Sequence, residues 1–403
     1  MGRHRPDSAR SRRKDLDLTR LQCDRLFRPE TNIVLDTLAG SGHHALFVGG
    51  CVRNALLGEP VRDIDIATDA RPERVMELFD RMGLKSVPTG LGYGTVTVVS
   101  NGISHEVTTF RRDVETFGRH AVTAFSPEIM DDARRRDFTM NALYAESDGT
   151  LIDPLGGHAD LRLRRVRFIE NADLRIREDH LRILRFFRFH AWYGDKSREP
   201  DADGVAACAA NLDGLDMLSR ERVGKEMLKL LDAGDPASSI AGMALSGCLG
   251  RLLPDSSPEA FPALMELEVR AGVSPDPARR LAVLGGEGLV RNLRLSKAVS
   301  RNLDLIRNAA ASKSDPAELA YRLGREIALD AVLVRSALLG VPLPPDLRAD
   351  LDKGSGARFP LSARDLSGSC SGPELGRRLR RLEAAWIDSG YTLDRTSLIR
   401  RSG

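Results

Sequence analysis

Two aspartates spaced one residue apart are the strongest candidates for catalytic chemistry in this sequence. They lie in the run Asp63-Ile64-Asp65-Ile66, where acidic and β-branched residues alternate. Side chains of a strand point alternately to opposite faces, so Asp63 and Asp65 should project together while the isoleucines are buried. Neighbouring carboxylates repel each other unless a cation lies between them, and Mg²⁺ prefers carboxylate oxygens. We therefore predict that Asp63 and Asp65 bind Mg²⁺.

A glycine turn lies shortly before these aspartates. The β-rich run at residues 46–48 leads into Gly49 and Gly50, and residues 51–57 have helical character. Backbone N–H groups at the start of a helix lack partners and can hold an anionic phosphate. Arg53, in the first turn, would add charge-assisted hydrogen bonds to the same oxygens. Either motif alone is commonly structural, but together they predict a triphosphate site beside a metal site.

A third carboxylate, Glu106, follows on the later β-rich run at residues 104–109. If that strand pairs beside the first, Glu106 completes a two-metal site; the alternative is a glutamate on a strand surface. In two-metal catalysis, one ion lowers the pKa of the attacking hydroxyl, and the other neutralises the triphosphate and the departing pyrophosphate. The three carboxylates and the glycine turn therefore predict nucleotidyl transfer.

An arginine-rich run occupies residues 134–136 and leads directly into Asp137. Such a run is often only a solvated charged surface. Asp137 and Asn141, however, are four residues apart and would share one face of a helix. Asp137 and Asn141 are therefore candidates for binding ribose hydroxyls, with Arg136 as a phosphate ligand.

A second polar pattern lies in residues 178–189, where Asp179, Arg182, Arg185 and Arg188 recur at intervals of three. This spacing predicts a polar stripe on one helix. A ladder of exposed salt bridges is the alternative. Because most of the intervening residues are bulky and apolar, little of the helix can face water, and we expect the charged stripe to bind a ligand.

Two other phosphate-binding motifs are not supported. The sequence contains no G-x-x-x-x-G-K-[ST], so a Walker-type P-loop is excluded. The glycine-rich run at residues 90–94 imitates part of a dinucleotide fingerprint, but it precedes the β-rich run at 95–99 and opens no helix. We interpret it as a turn.

These motifs fall in two regions of different character. Residues 31–167 alternate short β-rich runs with helical stretches at 51–57 and 72–82, which predicts a compact α+β domain. After Leu174 the apolar residues recur at intervals of three and four, so the remainder should be all-α. Clusters of glycine and proline at 201–204, 254–262 and 342–345 predict helix breaks or joints between subdomains.

Composition limits the location and the partners of the chain. The 403 residues include 60 basic and 57 acidic ones, so a polyanion must be met by local positive patches. No apolar run reaches the roughly 18 residues needed to cross a bilayer, and none near the start suits a secretory signal. Five scattered cysteines without a C-x-x-C pair indicate a reducing compartment and no zinc site. We expect a cytoplasmic protein without a membrane partner.

Taken in order, the motifs resemble the class II CCA-adding tRNA nucleotidyltransferases and the related bacterial poly(A) polymerases, within the polymerase β nucleotidyltransferase superfamily. The likeness covers about residues 47–231 and includes the runs D-P-L-G-G at 153–157 and S-R-E-R-V at 219–223. Residues 1–30 are polar and basic with little periodicity, which predicts a partly disordered arm or an inert tail. The resemblance implies that a polymerase β-like nucleotidyltransferase head (31–167) follows it. A helical neck with a nucleobase-selecting motif (168–232) and a helical body and tail that bind tRNA (233–403) complete the order.

The resemblance also implies roles for individual residues. Gly50 and Arg53 would hold the triphosphate, and Asp63 and Asp65 would hold Mg²⁺. The residues that would meet the ribose and the phosphates are Arg136, Asp137 and Asn141. The family's E-D-x-x-R motif, which acts as an amino-acid template for the incoming base, corresponds here to Glu178, Asp179 and Arg182, with Arg185 close by.

The chemistry of the bases suits this template. Cytosine N4 and adenine N6 are amino donors suited to Asp179, and the adjacent ring acceptor suits Arg182. Uracil and guanine would present a carbonyl oxygen to the carboxylate, a mismatch that costs about 1–3 kcal/mol when buried. CTP and ATP would therefore be selected over UTP and GTP without a nucleic-acid template.

The implied activity is Mg²⁺-dependent addition of CMP, CMP and AMP to the 3′ end of tRNA from CTP and ATP, with release of pyrophosphate and no protein partner. A poly(A) polymerase, or an enzyme restricted to CC or to A, would share the same head. A non-catalytic RNA-binding protein that has kept the scaffold is a further alternative. One departure from the family is visible: Asn54 stands where the family often has aspartate, which puts any metal or capping role of that position in doubt.

Overall fold

The computed structural model describes residues 20–117, 120–366 and 372–401. The chain divides into two compact units, Met1–Leu218 and Ser219–Gly403. The first unit mixes strands and helices and the second is helical, so the predicted α+β class with an all-α remainder is confirmed. The division falls inside the predicted neck at 168–232, and residues 1–19 of the predicted arm lie outside the described residues.

The first unit is built on short strands and short helices. Its helices are α1 (Pro29–Gly40), α2 (Gly50–Leu57), α3 (Pro72–Arg81), α4 (Ile129–Arg134), α5 (Gly157–Arg162), α6 (Ala172–Glu178), α7 (Leu181–Tyr193) and α8 (Ala202–Ala210). Its strands are β1 (Leu46–Val48), β2 (Ile64–Thr68), β3 (Lys85–Gly90), β4 (Thr95–Ser100), β5 (Ile103–Thr109), β6 (Arg111–Phe117), β7 (His120–Phe125), β8 (Tyr144–Ala145) and β9 (Leu151–Ile152). Single 3-10 turns occupy Leu91–Tyr93, Thr139–Asn141 and Leu212–Met217.

Seven of these strands form one sheet in the order β3-β4-β5-β2-β1-β8-β9. The β2 and β5 strands are parallel, and the other neighbours are antiparallel. The β6 and β7 strands form a separate antiparallel hairpin. Because β1 runs antiparallel to β2, the end of β1 lies beside the start of β2. The glycine turn is therefore next to the aspartates.

Burial follows the alternation that the sequence predicts for half-buried strands. In β4 every second residue is buried, with Val96 and Val98 fully so, and Val107 of β5 packs on the same side. The amphipathic α3 begins at Pro72, at the predicted position, and buries Phe79 completely. The run at 90–94 forms the turn between β3 and β4, as interpreted from the sequence, with Gly94 at φ +75°.

The second unit contains only helices among its described residues. They are α9 (Arg220–Leu231), α10 (Ala237–Leu245), α11 (Cys248–Leu252), α12 (Phe261–Ala271), α13 (Pro277–Leu284), α14 (Leu289–Asn292), α15 (Lys297–Ala311), α16 (Pro316–Leu323), α17 (Arg325–Leu339), α18 (Leu347–Gly356), α19 (Ala363–Leu366), α20 (Gly372–Asp388) and α21 (Arg395–Arg400). The clusters at 254–262 and 342–345 separate α11 from α12 and α17 from α18, as predicted. The cluster at 201–204 lies where α8 begins after the break that follows α7.

A buried ionic group ties the helices of the second unit together. Arg279 and Arg280 share the carboxylate of Glu268, with contacts of 2.7 and 2.6 Å. Arg280 also donates hydrogen bonds to the carbonyl oxygens of Leu231 and Ala233, so it satisfies backbone acceptors at the end of α9. Within the described parts of the chain, no helix has the length and hydropathy to cross a membrane.

Candidate active site

The paired aspartates and the later glutamate lie on adjacent strands. Asp65 is in register with Glu106 across the parallel β2–β5 pair, and Asp63 immediately precedes β2. Ile64 and Ile66 are buried, whereas Asp63 and Glu106 are exposed and Asp65 is half-buried. The predicted alternation of the β2 side chains and the predicted pairing of the two strands are both confirmed.

The carboxylates repel one another in this arrangement. Burial, the charge of Glu106 and, more weakly, the charge of Asp63 raise the pKa of Asp65 to about 6, although Arg136 opposes the shift. Among the described residues, no group of three or more His, Cys, Asp or Glu side chains is arranged to hold a metal ion. The structure therefore aligns Glu106 with Asp65 without forming the three-carboxylate metal site that the sequence suggested.

Gly49 forms the turn from β1 into α2 with φ +71° and ψ −121°, a conformation that favours glycine. A Cβ atom at this position would lie 3.1 Å from Nη1 of Arg136. The N–H of Gly49 donates to the carbonyl oxygen of Leu143 at 3.0 Å, which fixes the turn against the next strand of the sheet. The helix then begins at Gly50, so its first N–H groups face the same region as the guanidinium of Arg136.

Arg53 is a buried cation whose hydrogen-bond partners are all neutral. Its guanidinium donates to Oδ1 of Asn54 at 2.8 Å, to the Tyr193 hydroxyl at 2.9 Å and to Oδ1 of Asn141. Burial lowers the pKa of Arg53, and Tyr193 and Asp137 only partly oppose this effect. Within the described chain Arg53 forms no ion pair, so an anionic ligand would compensate the hydration that this buried charge has lost.

Asn54, the departure from the family pattern, acts as a neutral bridge. Its oxygen accepts from Nε and Nη2 of Arg53, and its Nδ2 donates to the carbonyl oxygen of Pro60 at 3.0 Å. The side chain thus holds the candidate phosphate ligand against the loop that leads to the aspartates. An amide suits this position because one end must accept and the other must donate.

The guanidinium of Arg136 is hydrogen-bonded to the carboxylate of Asp132 and to the hydroxyl of Tyr144. Its Nη2 lies 2.8 Å from Oδ2 of Asp132, and the Tyr144 hydroxyl donates to the same oxygen at 2.7 Å. Burial alone would raise the pKa of Asp132, but the charges of Arg136 and Arg135 outweigh it and hold that pKa below its usual range. These bonds leave Nη1 of Arg136 directed at the glycine turn.

Asp137 and Asn141 meet, but not on the helix that the sequence suggested. The α4 helix ends at Arg134, and only a 3-10 turn at Thr139–Asn141 follows, so the four-residue spacing does not lie on one helical face. The turn instead folds Nδ2 of Asn141 to 2.8 Å from Oδ1 of Asp137. Oδ2 of Asp137 accepts from Nε of Arg185 at 2.8 Å, and the charge of Arg185 holds the pKa of Asp137 low against the effect of burial.

The predicted single polar helix is wrong at its start. Asp179 lies between α6 and α7 with extended backbone (φ −151°, ψ 104°), and its Oδ1 accepts from the N–H of Leu181 at 3.1 Å. The chain must reorient there, because Glu178 ends one helix and Leu181 begins the next. Arg182 lies in the first turn of α7 and therefore shares a helix with Arg185 but not with Asp179.

The guanidinium of Arg182 is fixed by several acceptors. Its Nη1 contacts Oε2 of Glu178 at 2.5 Å and the carbonyl oxygen of Arg175 at 2.9 Å, and its Nη2 donates to the carbonyl oxygen of Arg135 at 3.0 Å. The last bond joins α7 to the residue that precedes Arg136. The E-D-x-x-R motif is thereby positioned beside the candidate phosphate ligands.

Three contributors to the site were missed in the sequence. Tyr193 was within reach of a pattern argument, because Arg185, Phe189 and Tyr193 repeat at intervals of four and continue the face on which Arg185 lies. Asp132, four residues before Arg136, shows the spacing of an ion pair on a helix, and the structure contains that pair. No comparable signal identifies Tyr144, which lies on a separate strand.

One connected chain of side chains results. Tyr193, Arg53, Asn141, Asp137 and Arg185 are joined in that order by hydrogen bonds. This hydrogen-bond network begins and ends on α7 and includes Arg53 of α2. Fixed cations are therefore present on one side of the aspartates, as a triphosphate site requires.

A family model described as "Poly A polymerase head domain" matches residues 45–167, and one described as "Probable RNA and SrmB- binding site of polymerase A" matches residues 200–259. The strand order and the site thus define a nucleotidyltransferase of the poly(A) polymerase head type.

Curated relatives and a solved structure extend the likeness over most of the chain. A mouse protein named "CCA tRNA nucleotidyltransferase 1, mitochondrial" is 33% identical over 93% of this chain and 90% of its own. A "CCA-adding enzyme" of Geobacillus thermodenitrificans is 35% identical over 77% of this chain and 78% of its own. The Bacillus stearothermophilus CCA-adding enzyme, solved in complex with CTP, superposes with a TM-score of 0.65 at 30% identity, covering 90% of this chain and 94% of that one. The chain belongs to the family of CCA-adding tRNA nucleotidyltransferases.

Proposed function

We propose that this chain adds CMP, CMP and AMP in turn to the 3′ end of tRNA, using CTP and ATP and releasing pyrophosphate at each step. The observation that carries the proposal is Arg53, a buried guanidinium with neutral partners beside the Gly49-Gly50 turn. A triphosphate would supply the missing negative charge and would accept hydrogen bonds from the first N–H groups of α2.

Mg²⁺ is the proposed metal, with Asp63 and Asp65 as its protein ligands. Mg²⁺ usually keeps several waters and takes one or two carboxylates together with phosphate oxygens, so a three-carboxylate cage is not required. Burial and the charge of Glu106 raise the pKa of Asp65, and a bound cation would stabilise the ionised carboxylate. When bound, the metal would lower the pKa of the attacking hydroxyl and neutralise the charge of the leaving pyrophosphate.

The remaining site residues would orient the nucleotide. Arg136, with Nη1 beside Gly49, and Arg53 are proposed to bind phosphate oxygens. Asp137 and Asn141, which hold each other at 2.8 Å, are proposed to bind the ribose. Glu106 is proposed as a further catalytic carboxylate next to Asp65, with which it is in register.

Base selection is proposed for the E-D-x-x-R motif. Asp179 would accept from cytosine N4 or adenine N6, and Arg182 would donate to the adjacent ring nitrogen. The bonds from Arg182 to Glu178 and to backbone oxygens hold its guanidinium in place before a base arrives. Arg185 is proposed to assist from the same helix. Rigid donors and acceptors discriminate more strongly because a wrong base leaves them unpaired.

The proposed domain order keeps the head at 31–167 and the neck at 168–232, with residues 233–403 as the tRNA-binding body and tail. The Thermotoga maritima CCA-adding enzyme, solved with tRNA, shares the fold of this chain at a TM-score of 0.68. A cytoplasmic location is also proposed, although the human and mouse relatives are named as mitochondrial. Fractionation of the native organism's cells with an antibody to this chain would test the location.

Poly(A) polymerase activity is the second candidate, because the family model that matches the head carries that name. The deciding experiment incubates the purified protein and Mg²⁺ with three tRNA transcripts: one that ends before CCA, one that ends after CC and one that is complete. Labelled CTP or ATP is supplied and the products are sized. Addition that completes CCA and then stops supports the proposal. Long A tracts on all three transcripts would indicate a poly(A) polymerase, and the absence of any product would contradict both activities.

A further inference from the structure

A cavity of about 490 Å³ lies on the side of the carboxylates away from the glycine turn. Three arginines, Arg25, Arg28 and Arg62, line it together with the carboxylates of Asp63 and Glu106. None of the residues that line the cavity belongs to the candidate nucleotide site at Gly49, Arg53 or Arg136. The cavity is thus a second cationic region that shares only the carboxylates with the first.

The order of the strands fixes the relation between these two regions. In the sheet, β2 lies between β1 and β5. The glycine turn follows β1, the aspartates lie on and just before β2, and the cavity is lined by residues 102–104 and 106 at the start of β5. The candidate triphosphate site and the arginine cavity therefore flank the aspartates from opposite sides.

The three guanidinium groups are available for an anion. All three residues are exposed, and within the described residues none of them forms an ion pair with a carboxylate. Nη2 of Arg25 donates to the carbonyl oxygen of Arg62 at 3.0 Å, which ties the segment before α1 to the loop before β2. Arg28 occupies the N-cap of α1 without a side-chain capping bond, so its guanidinium is not needed for the helix.

We propose that this cavity binds the phosphodiesters at the 3′ end of the RNA and directs the terminal hydroxyl towards the aspartates. The inference rests on the proposed function. In phosphoryl transfer the attacking and leaving oxygens are roughly in line, so the RNA must approach from the side opposite the pyrophosphate. The 3′ oxygen forms the new bond to the α-phosphorus, the bond from that phosphorus to the bridging oxygen breaks, pyrophosphate keeps the electron pair, and the hydroxyl proton passes to water.

The test is a triple variant, Arg25→Gln, Arg28→Gln and Arg62→Gln, compared with the wild type and with the variant Arg71→Gln. Arg71 is exposed and follows β2 at its other end, so the control removes a charge from the same unit but far from the cavity. Direct binding of tRNA lacking CCA is measured by fluorescence anisotropy over a range of salt concentrations. Steady-state KM values for tRNA and for CTP are measured in parallel.

The triple variant should bind tRNA about tenfold more weakly, and its plot of log affinity against log salt should be shallower by about 2, because three phosphate contacts to a single strand are lost. The KM for CTP should stay within about twofold of the wild type, as should every parameter of Arg71→Gln. Unchanged tRNA binding in the triple variant would overturn the proposal. A raised KM for CTP, or altered inhibition by pyrophosphate with unchanged tRNA binding, would also overturn it, since the cavity would then bind nucleotide or product.

Failure of the proposed function is distinguishable from failure of this inference. The anisotropy measurement needs no turnover, so it reports on the cavity even if the wild type adds no nucleotide. If the triple variant melts at a lower temperature than the wild type, the single variant Arg62→Gln is decisive, because the bond from Arg25 uses only the Arg62 backbone. That variant should keep the wild-type fold and show about one third of the change in salt dependence expected for the triple variant.

Discussion

The Tyr193 side chain holds the guanidinium of Arg53 in two ways. Nη2 of Arg53 donates to the phenol oxygen at 2.9 Å, and the guanidinium carbon lies 3.9 Å from the centre of the ring. Tyr193 is the last residue of α7, and Arg53 lies in the first turns of α2. The contact therefore couples the helix that carries Arg182, which is proposed to select the base, to the helix that is proposed to bind the triphosphate.

Removal of the Tyr193 hydroxyl should weaken the binding of every nucleotide. In Tyr193→Phe the KM values for CTP and ATP should rise by about three- to tenfold, since one hydrogen bond that positions Arg53, worth about 1 kcal/mol, is lost. Tyr193→Leu should cost more, because the stacking on Arg53 is worth about 0.5–2 kcal/mol. The preference between CTP and ATP should not change, because Arg53 is proposed to bind a group that the two nucleotides share.

The matched control for this hydroxyl is Tyr391→Phe. The Tyr391 hydroxyl is buried in the second unit and has no hydrogen-bond partner among the described residues. Its removal should leave both KM values within about twofold of the wild type. Equal effects of Tyr193→Phe and Tyr391→Phe would contradict the positioning role of Tyr193.

The aspartates should be needed for chemistry and not for RNA binding. Asp63→Asn and Asp65→Asn should each lower kcat for CTP and ATP by about a thousandfold or more, because the amide is a much weaker ligand for Mg²⁺. The dissociation constant for tRNA should change by less than about threefold. Asp36→Asn, which neutralises an exposed carboxylate on α1, serves as the control for charge.

Glu106→Gln separates a catalytic role from a surface role for the third carboxylate. Because Glu106 is in register with Asp65 but forms no three-carboxylate metal site, we expect kcat to fall by about ten- to a hundredfold, less than for the aspartates. A wild-type kcat would make Glu106 a surface residue of β5.

For the aspartates, loss of tRNA binding in a folded Asp63 or Asp65 variant would contradict the metal-binding role.

Arg182 should determine which bases are accepted. In Arg182→Ala the discrimination of CTP and ATP against UTP and GTP should fall by about 1–3 kcal/mol, because the donor to the ring acceptor is lost. Competition assays with mixed nucleotides measure this ratio directly. Arg188→Ala is the control on the same helix, since Arg188 stacks on Phe189 and is assigned no base contact. Unchanged base selectivity in Arg182→Ala would disprove the template role.

Substitutions of Asn54 test whether the departure from the family pattern affects nucleotide binding. Asn54→Ala removes the acceptor for two Arg53 nitrogens, so the KM for both nucleotides should rise by about three- to tenfold. Asn54→Asp keeps that acceptor, but its second oxygen cannot donate to the Pro60 carbonyl oxygen and its charge would pair with Arg53. Because aspartate is common at this position in the family, the KM values of Asn54→Asp should stay within about threefold of the wild type. A larger loss in Asn54→Asp than in Asn54→Ala would show that the neutral amide is itself required.

Local patterns in the sequence were sufficient for the strands and the carboxylates. The alternation around Ile64 and Ile66 predicted both the strand and the face on which the aspartates lie, because the period of a strand is short and strict. That the strand of Glu106 could pair beside the strand of the aspartates was also suggested by the sequence, and the two strands do pair. The register of that pairing depends on how β2 and β5 are aligned in space, which the spacing along the chain does not specify.

Longer-range relations were predicted less well. The four-residue spacing of Asp137 and Asn141 suggested a helix, yet the backbone leaves the helix at Arg134 and returns through a 3-10 turn. Asp179 was assigned to the helix of Arg182 because the intervals of three continued without interruption. Its extended backbone separates α6 from α7, so the periodic pattern does not correspond to one helix. The Tyr193–Arg53 contact joins residues 140 positions apart, so no local pattern identifies it.

His190 should make the first unit less stable in mild acid. Burial lowers the pKa of this imidazole to about 4 from its ordinary 6.5, so the unfolded chain binds more protons between these two values. The stability that depends on the neutral imidazole is complete above pH 6.5 and is lost as the pH falls towards 4. Between pH 7.5 and pH 5 the free energy of unfolding of the wild type should fall by about 2 kcal/mol because of His190. In His190→Gln this contribution should be absent. Urea unfolding followed by Trp192 fluorescence, in a Trp386→Phe background, measures the difference, with His44→Gln as the control for an exposed imidazole. Equal pH dependence of the wild type and His190→Gln would show that the imidazole does not govern this acid sensitivity.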